Sequence, residues 1–170
     1  MPLRIDRDDV TDPAVVALLE EHLAELRSIS PPESTHALDL AALRADGVDV
    51  WVAREAVEGT DAGASDVPDK RSDRPLGCVA LTLVEPGHGE LKSMRTTAGA
   101  TGRGVGTALL RHVLDQARAR GLARISLETG AEDFFAPARR LYARHGFEVC
   151  PPFGRYRPDP LSVFMTRSLS

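Results

Sequence analysis

Residues 100–110, Ala-Thr-Gly-Arg-Gly-Val-Gly-Thr-Ala-Leu-Leu, place three glycines at alternate positions ahead of a run of helix formers. Gly102, Gly104 and Gly106 let the backbone turn sharply and bring its N–H groups close to a ligand. The helix that follows offers unpaired amides and the positive end of its dipole. The chemistry to which this points is phosphate binding by Thr101, Gly102, Arg103, Gly104, Val105, Gly106 and Thr107. A dinucleotide fingerprint needs G-x-G-x-x-G, but position 107 is Thr, and a Walker loop needs a Gly-Lys-Ser/Thr triplet that the chain lacks. A flexible helix start without a ligand explains the glycines equally well. Immediately upstream, Glu90-Leu-Lys-Ser-Met-Arg-Thr96 reads as a strand whose alternation puts Glu90, Lys92 and Met94 on one face.

The whole chain sets bounds on that chemistry. With 170 residues it fits one domain over 1–170, large enough to bury about 70% of its unfolded surface. A net charge of −4 gives no basic excess for a nucleic-acid partner. Charge is nonetheless local: between Arg103 and Arg124 five arginines face the single acid Asp115. Cys78 and Cys150 are far apart, and His22, His36, His88, His112 and His145 show no H-x-x-x-H pair, so no metal site is expected. No apolar signal core or membrane span is visible, and a reducing cytoplasm is the simplest location.

The elements that must position these residues follow from periodicity and punctuation. Leu3 to Asp6 reads as a strand, and Asp12-Pro13 opens a helix with buried stripe Val15, Val16, Leu18, Leu19, Leu23 and Leu26. Ser30 to His36 breaks that helix, and a second is expected from about Thr35 to Ala45, ending at Gly47. Asp49–Val57 and Leu76–Val84 read as an antiparallel pair of strands. The apolar-poor stretch 58–75 between them reads as a mobile hairpin insertion. Glu90–Thr96 is the fourth strand, Gly104–Arg120 a helix and Ala123–Thr129 the fifth strand, a unit whose right-handed crossover makes strands four and five parallel neighbours. A helix over Phe134–His145 and strands at Phe147–Cys150 and Leu161–Leu169 complete an α/β (α+β) order with a mixed, mostly antiparallel sheet of about seven strands.

This order and two motifs resemble the GCN5-related N-acetyltransferase (GNAT) superfamily over nearly the whole chain. Thr101-Gly-Arg-Gly-Val-Gly106 is similar to that family's Arg/Gln-x-x-Gly-x-Gly/Ala turn, with Thr101 in place of Arg or Gln and Arg103 able to supply the charge. Ala136-Pro-Ala-Arg-Arg-Leu-Tyr-Ala-Arg-His-Gly-Phe147 looks like its A-x-x-L-Y-x-x-x-G-F pattern. Residues 30–38, 90–96, 127–130 and 160–165 look like the YsnE-like branch of bacterial acetyltransferases.

The resemblance implies helices on both faces of the sheet, a splay between strands four and five, and acetyl-CoA as co-substrate without a metal. It brings Met94, Arg95, Thr96, the turn residues and Arg139 to the cofactor. It also implies direct attack by an amine on the thioester, which needs orientation, a proton acceptor and a donor at the leaving sulfur. Glu90 is the candidate base and Tyr142 the candidate acid. A solvated strand-end carboxylate or a pair with Lys92 remains open for Glu90, and a core aromatic for Tyr142. Glu33, His36, Lys92, Glu128 and Thr129 are candidates for the acceptor, with Ser34 read instead as a helix N-cap. Phe153, Arg155 and Tyr156 could close the cleft. The expected acceptor is a small-molecule amine; a protein lysine or N-terminus, and a non-catalytic acyl-CoA sensor, stay open. Neither nucleic acid nor membrane is expected as a partner, and a homodimer is left open.

Overall fold

The computed structural model describes residues 2–34, 39–56 and 74–169. Seven strands form one sheet, β1 (Leu3–Asp8), β2 (Asp49–Glu55), β3 (Pro75–Glu85), β4 (His88–Thr96), β5 (Arg124–Gly130), β6 (Glu148–Cys150) and β7 (Ser162–Ser168). Their spatial order is β1-β2-β3-β4-β5-β7-β6. Only β4 and β5 run parallel; every other neighbouring pair is antiparallel.

The helices are α1 (Pro13–Ile29), α2 (Leu40–Leu43), α3 (Val105–Ala119) and α4 (Ala136–Arg144). Asp12 caps α1 by accepting from the Ala14 amide at 2.9 Å, with Pro13 in the first turn, where no N–H is needed. Val15, Leu18 and Leu19 of α1 and Leu43 of α2 bury against Val50, Val52, Cys78 and Ala80 on one face of the sheet. On the other face Val105, Leu109, Leu110, Val113, Leu114 and Ala117 of α3 pack on Trp51, Val79, Leu81, Leu91, Ile125 and Leu127, joined by Tyr142 of α4. Each such side chain contributes about 1.5–3 kcal/mol of burial.

Two expectations change. The second helix, expected from Thr35 to Ala45, is the single turn Leu40–Leu43, capped by Asp39, whose side chain accepts from the Ala42 amide at 2.8 Å. Ser34 is therefore not its cap. Ser34 ends a separate 3-10 turn, Pro32–Ser34, and its hydroxyl donates to Asp159 at 2.6 Å. Residues 35–38, which include His36, lie outside the described residues, as does the expected 58–75 insertion apart from Arg74 and Pro75.

Strand β4 is irregular where it matters. Ala80 of β3 pairs with Lys92 and Cys78 with Arg95, so one residue of β3 stands opposite two of β4. This bulge holds Ser93 at φ 51°, a left-handed conformation that non-glycine residues seldom adopt. It also reverses the alternation beyond Lys92. Met94 therefore packs on the α3 side instead of sharing the Glu90 and Lys92 face, while Arg95 faces α1 and pairs with Glu21 and Glu25.

Gly77 lies against the bulge: a Cβ there would meet the Arg95 carbonyl at 2.6 Å and Leu109 and Val105 at 3.0 Å. Gly77→Ala is accordingly expected to lose about 1–3 kcal/mol of stability by overpacking, read as a lower urea midpoint at unchanged slope.

Candidate active site

The glycine turn follows β4 through a 3-10 turn, Ala98–Ala100. Gly102 and Gly104 adopt φ 82° and 80°, and nothing lies within 4 Å of a Cβ built on either, so the turn's outer surface is open backbone. Helix α3 begins at Val105, and its first i to i−4 bond is Ala108 N–H to Gly104 C=O at 3.0 Å. The amides of Val105, Gly106 and Thr107 precede that bond, at the positive end of the helix dipole. The Thr101 hydroxyl turns back to the Thr97 carbonyl at 3.2 Å. Around Gly106, Leu141, Met94 and Thr96 lie 3.2, 3.6 and 3.7 Å from a Cβ position, which draws α3, α4 and the end of β4 together. This open, amide-lined cradle fits the diphosphate of a coenzyme.

Parallel pairing of β4 with β5 stops at Leu91 and Leu127. Beyond it, β4 stays bonded to β3 and β5 to β7, and the facing edges part. A cavity of about 230 Å³ fills the gap, lined by Glu90, Lys92, Glu128, Thr129, Tyr142 and Tyr156 among others. The splay inferred from the resemblance is thus present.

Three side chains in its wall form a closed triangle. Lys92 Nζ donates to Glu90 Oε1 at 3.1 Å and to the Tyr156 hydroxyl at 2.8 Å, and that hydroxyl donates to the same Glu90 oxygen at 2.5 Å. The Glu90 and Lys92 side chains keep only 12% and 11% of their surface exposed, so water screens them little. Phe153 and Phe164 hold the Tyr156 ring, with centroids 5.1 and 5.4 Å away. Burial, together with the adjacent Glu90 charge and hydrogen bond, raises the Tyr156 hydroxyl pKa. It stays protonated and serves as a donor. Burial, then the Glu128 charge, raises Tyr142 likewise. Its ring packs edge-on to Phe147 at 5.8 Å.

Glu128 is the first β5 residue past the last paired rung. Burial pushes its carboxyl up to about 7, with Glu90 and Asp159 adding to the rise and Lys92 opposing it. His22 of α1 lines the same cavity. Burial first, then the Arg95 charge, lowers it to about 4, so it is a neutral imidazole near neutral pH.

The structure brings together Glu90, Lys92, Met94, Arg95, Thr96, Glu128, Thr129 and Tyr142 around this cavity. Glu33 lies instead on an adjoining groove with Arg155, Asp159 and Leu83, which meets the cavity at Glu90 and Tyr156. Arg139 donates to the carbonyls of Gly130 at 2.5 Å and Glu132 at 3.0 Å, tying down the β5–α4 connection. Sequence reasoning placed Tyr156 only in a closing loop and missed His22. The Tyr156 contact spans 66 positions and leaves no local pattern. His22 shares an i, i+4, i+8 line with Leu26 and Ser30 that looks like an ordinary helix stripe. Among the described residues no His, Cys, Asp and Glu grouping could hold a metal, and no helix is long and apolar enough to cross a membrane.

An amide cradle at a helix start, feeding a cavity between two parted parallel strands, defines an acyl-CoA N-acyltransferase site. The profile of the acetyltransferase (GNAT) family matches residues 21–147. The chain is 42% identical to the "uncharacterized N-acetyltransferase YsnE" of Bacillus subtilis, over 98% of this chain and all of that one. It is also 42% identical to the "uncharacterized N-acetyltransferase YedL" of Escherichia coli, over 97% of this chain and 94% of the relative. A solved structure of a proposed acyl-CoA N-acyltransferase from Klebsiella pneumoniae superposes with a TM-score of 0.72 at 27% identity, covering 99% and 98% of the two chains. The chain belongs to the GNAT family of acetyltransferases, enzymes that use acyl-CoA as donor.

Glu128 links the site to stability. A carboxyl raised in the fold binds a proton that the unfolded chain has already released, so stability falls as pH rises from about 4.5 to about 7. Glu128→Gln should then be more stable than the parent at pH 8, by on the order of 1–3 kcal/mol. The gain should vanish toward pH 4.5, as read by denaturant unfolding at both values.

Proposed function

We propose that this enzyme transfers the acetyl group of acetyl-CoA to the primary amine of a small molecule, by direct attack in a ternary complex. The observation that carries the reading is the cavity between β4 and β5, with Tyr156 of the 151–161 connection in its wall. The 151–161 connection, which brings Tyr156 into that wall, is fastened to β4 through Tyr156 and to the 3-10 turn Pro32–Ser34 through the Ser34–Asp159 bond. Such a double fastening leaves room for a compact acceptor and opposes a threaded polypeptide.

The residues divide the work as follows. The turn amides from Gly102 to Thr107, with the Arg103 side chain beside them, would hold the diphosphate, and the edge of β4 at Met94, Arg95 and Thr96 would receive the pantetheine arm. When bound, the coenzyme supplies an activated acyl carbon on a thiol leaving group. Glu90 takes the proton that the incoming ammonium must lose before its nitrogen can attack, and its two hydrogen bonds fix the carboxylate's direction. Glu128, when ionised, pairs with that ammonium from the facing strand. Tyr142, whose hydroxyl burial keeps protonated, donates a hydrogen bond to the departing sulfur.

Calorimetric titration with acetyl-CoA tests the donor: micromolar binding is expected, and Gly104→Glu, which puts a carboxylate against the cradle, should abolish it. The absence of binding to the parent chain would remove the reading. In an amine screen that detects released thiol, Glu90→Gln should lower kcat by about 10²–10⁴ while leaving acetyl-CoA affinity within a factor of about two. An equal loss of affinity would show Glu90 to be structural.

A further inference from the structure

The amine that Glu90 holds in this structure belongs to the chain itself. Lys92 Nζ lies 3.1 Å from the carboxylate proposed as base and, like Tyr142, lines the cavity in which the acyl group would be presented. We propose that Lys92 is a self-acetylation site, taking an acetyl group from acetyl-CoA bound to its own chain; this rests on the acetyl-transfer reading above.

Three observations carry the proposal. The first is placement. Lys92 is held against the base by a short stem from the same strand, in a geometry that an external amine must acquire by binding. Such pre-paid orientation favours the intramolecular amine.

The second is residue choice. The chain has nineteen arginines and only two lysines, Lys70 and Lys92. Arginine would satisfy Glu90 and Tyr156 at least as well as a cation, but it cannot lose a proton and become a nucleophile at any ordinary pH. A lysine here keeps an amine that can.

The third is enclosure. With about a tenth of its side-chain surface exposed, Lys92 is shielded from enzymes that modify surface lysines, but it borders the cavity of its own chain.

The step balances within the site. Lys92 Nζ gives one proton to Glu90 Oε1, and its lone pair forms a nitrogen–carbon bond to the acyl carbon. The carbon–sulfur bond breaks, and the sulfur leaves as a thiolate hydrogen-bonded to Tyr142 and takes a proton from solvent. The proton left on nitrogen as the amide forms and the one taken by Glu90 both go to solvent, which restores the carboxylate. The products are Nε-acetyl-Lys92 and free CoA.

Acetylation has a structural consequence. The neutral amide no longer offsets Glu90 and offers one N–H where the ammonium offered three. It can serve Tyr156 or Glu90 but not both, and one fastening of the 151–161 connection is loosened.

The test uses the full chain with acetyl-CoA and no added amine, after calorimetry has shown whether acetyl-CoA binds. Intact mass and peptide mapping then locate any acetyl group, with Lys70 as the internal reference. Acetic anhydride, which needs no coenzyme site, gives the background ratio of labelling at the two lysines. The expected result is one acetyl mass on Lys92, with a Lys92-to-Lys70 ratio at least about tenfold above that background. Lys92→Arg should prevent it, and Glu90→Gln should slow it by about a hundredfold. Amide hydrogen exchange across 151–161 should be faster in the acetylated chain than in Lys92→Arg. If acetyl-CoA binds and Lys92 stays unlabelled, or the ratio equals the background, the inference is overturned while transfer to an external amine stands. If acetyl-CoA does not bind, both readings fall together.

Discussion

Two parallel strands that stop pairing halfway along their length are the constraint on which the site depends. Past Leu91 and Leu127, β4 and β5 no longer bond to each other across a gap, a costly arrangement unless side chains, water or a ligand meet their edge groups. What keeps the gap open lies behind it. β4 is bonded to β3 as far as Thr96 and β5 to β7 as far as Gly130, so neither strand is free to swing back. The Ser93 bulge turns β4 away from its partner and re-aims the residues beyond it, and Gly77 lets β3 approach the bulge closely. A gap of this shape accepts an extended arm bearing amides, which can bond to strand edges as a further strand would.

The Glu90–Lys92–Tyr156 triangle is costly to assemble and robust once formed. Placing an ammonium and a carboxylate where each is nearly nine-tenths covered forfeits several kcal/mol of hydration per ion, and their attraction recovers this only with good geometry and added hydrogen bonds. The Tyr156 hydroxyl supplies those bonds, accepting from one ion and donating to the other. The triangle thereby couples a loop between β6 and β7 to the middle of β4. Removing any one member would leave a buried charge or donor without its partner, so the three act as a unit.

How much of this the sequence disclosed depends on how local each cause is. The glycine turn, α3 and the crossover to β5 follow from periodicity over a score of residues, and all appear close to their expected limits. Met94 was placed on the wrong face because alternation assumes a regular pleat. The bulge that reverses it depends on Gly77 and Arg95, eighteen positions apart. The second helix was drawn too long because Ser34 looks like an N-cap. Its hydroxyl is taken by Asp159, 125 positions away, and Asp39 does the capping. Glu90 and Lys92 were read as sharing a face, and they do. That Tyr156 completes them could not be read, since the chain writes no local mark for a contact made across a sheet.

Charge in the cavity then selects what enters. Glu90 and Lys92 cancel and Arg95 is paired with Glu21 and Glu25, so the wall charge that changes near neutral pH is that of Glu128, raised by burial to about 7. Under the proposed acetyl transfer, an acceptor arriving as an ammonium stabilises the ionised form of Glu128 through proximity alone. Its binding and the release of the Glu128 proton are two sides of one linkage, and the two sites titrate as a coupled pair. A second anion gains nothing of the kind, because it would meet Glu90 already saturated and Glu128 driven further toward its neutral form. Under that proposal the cavity favours a cation that is about to lose a proton. One carboxylate of its wall is fixed by hydrogen bonds and another is raised by burial.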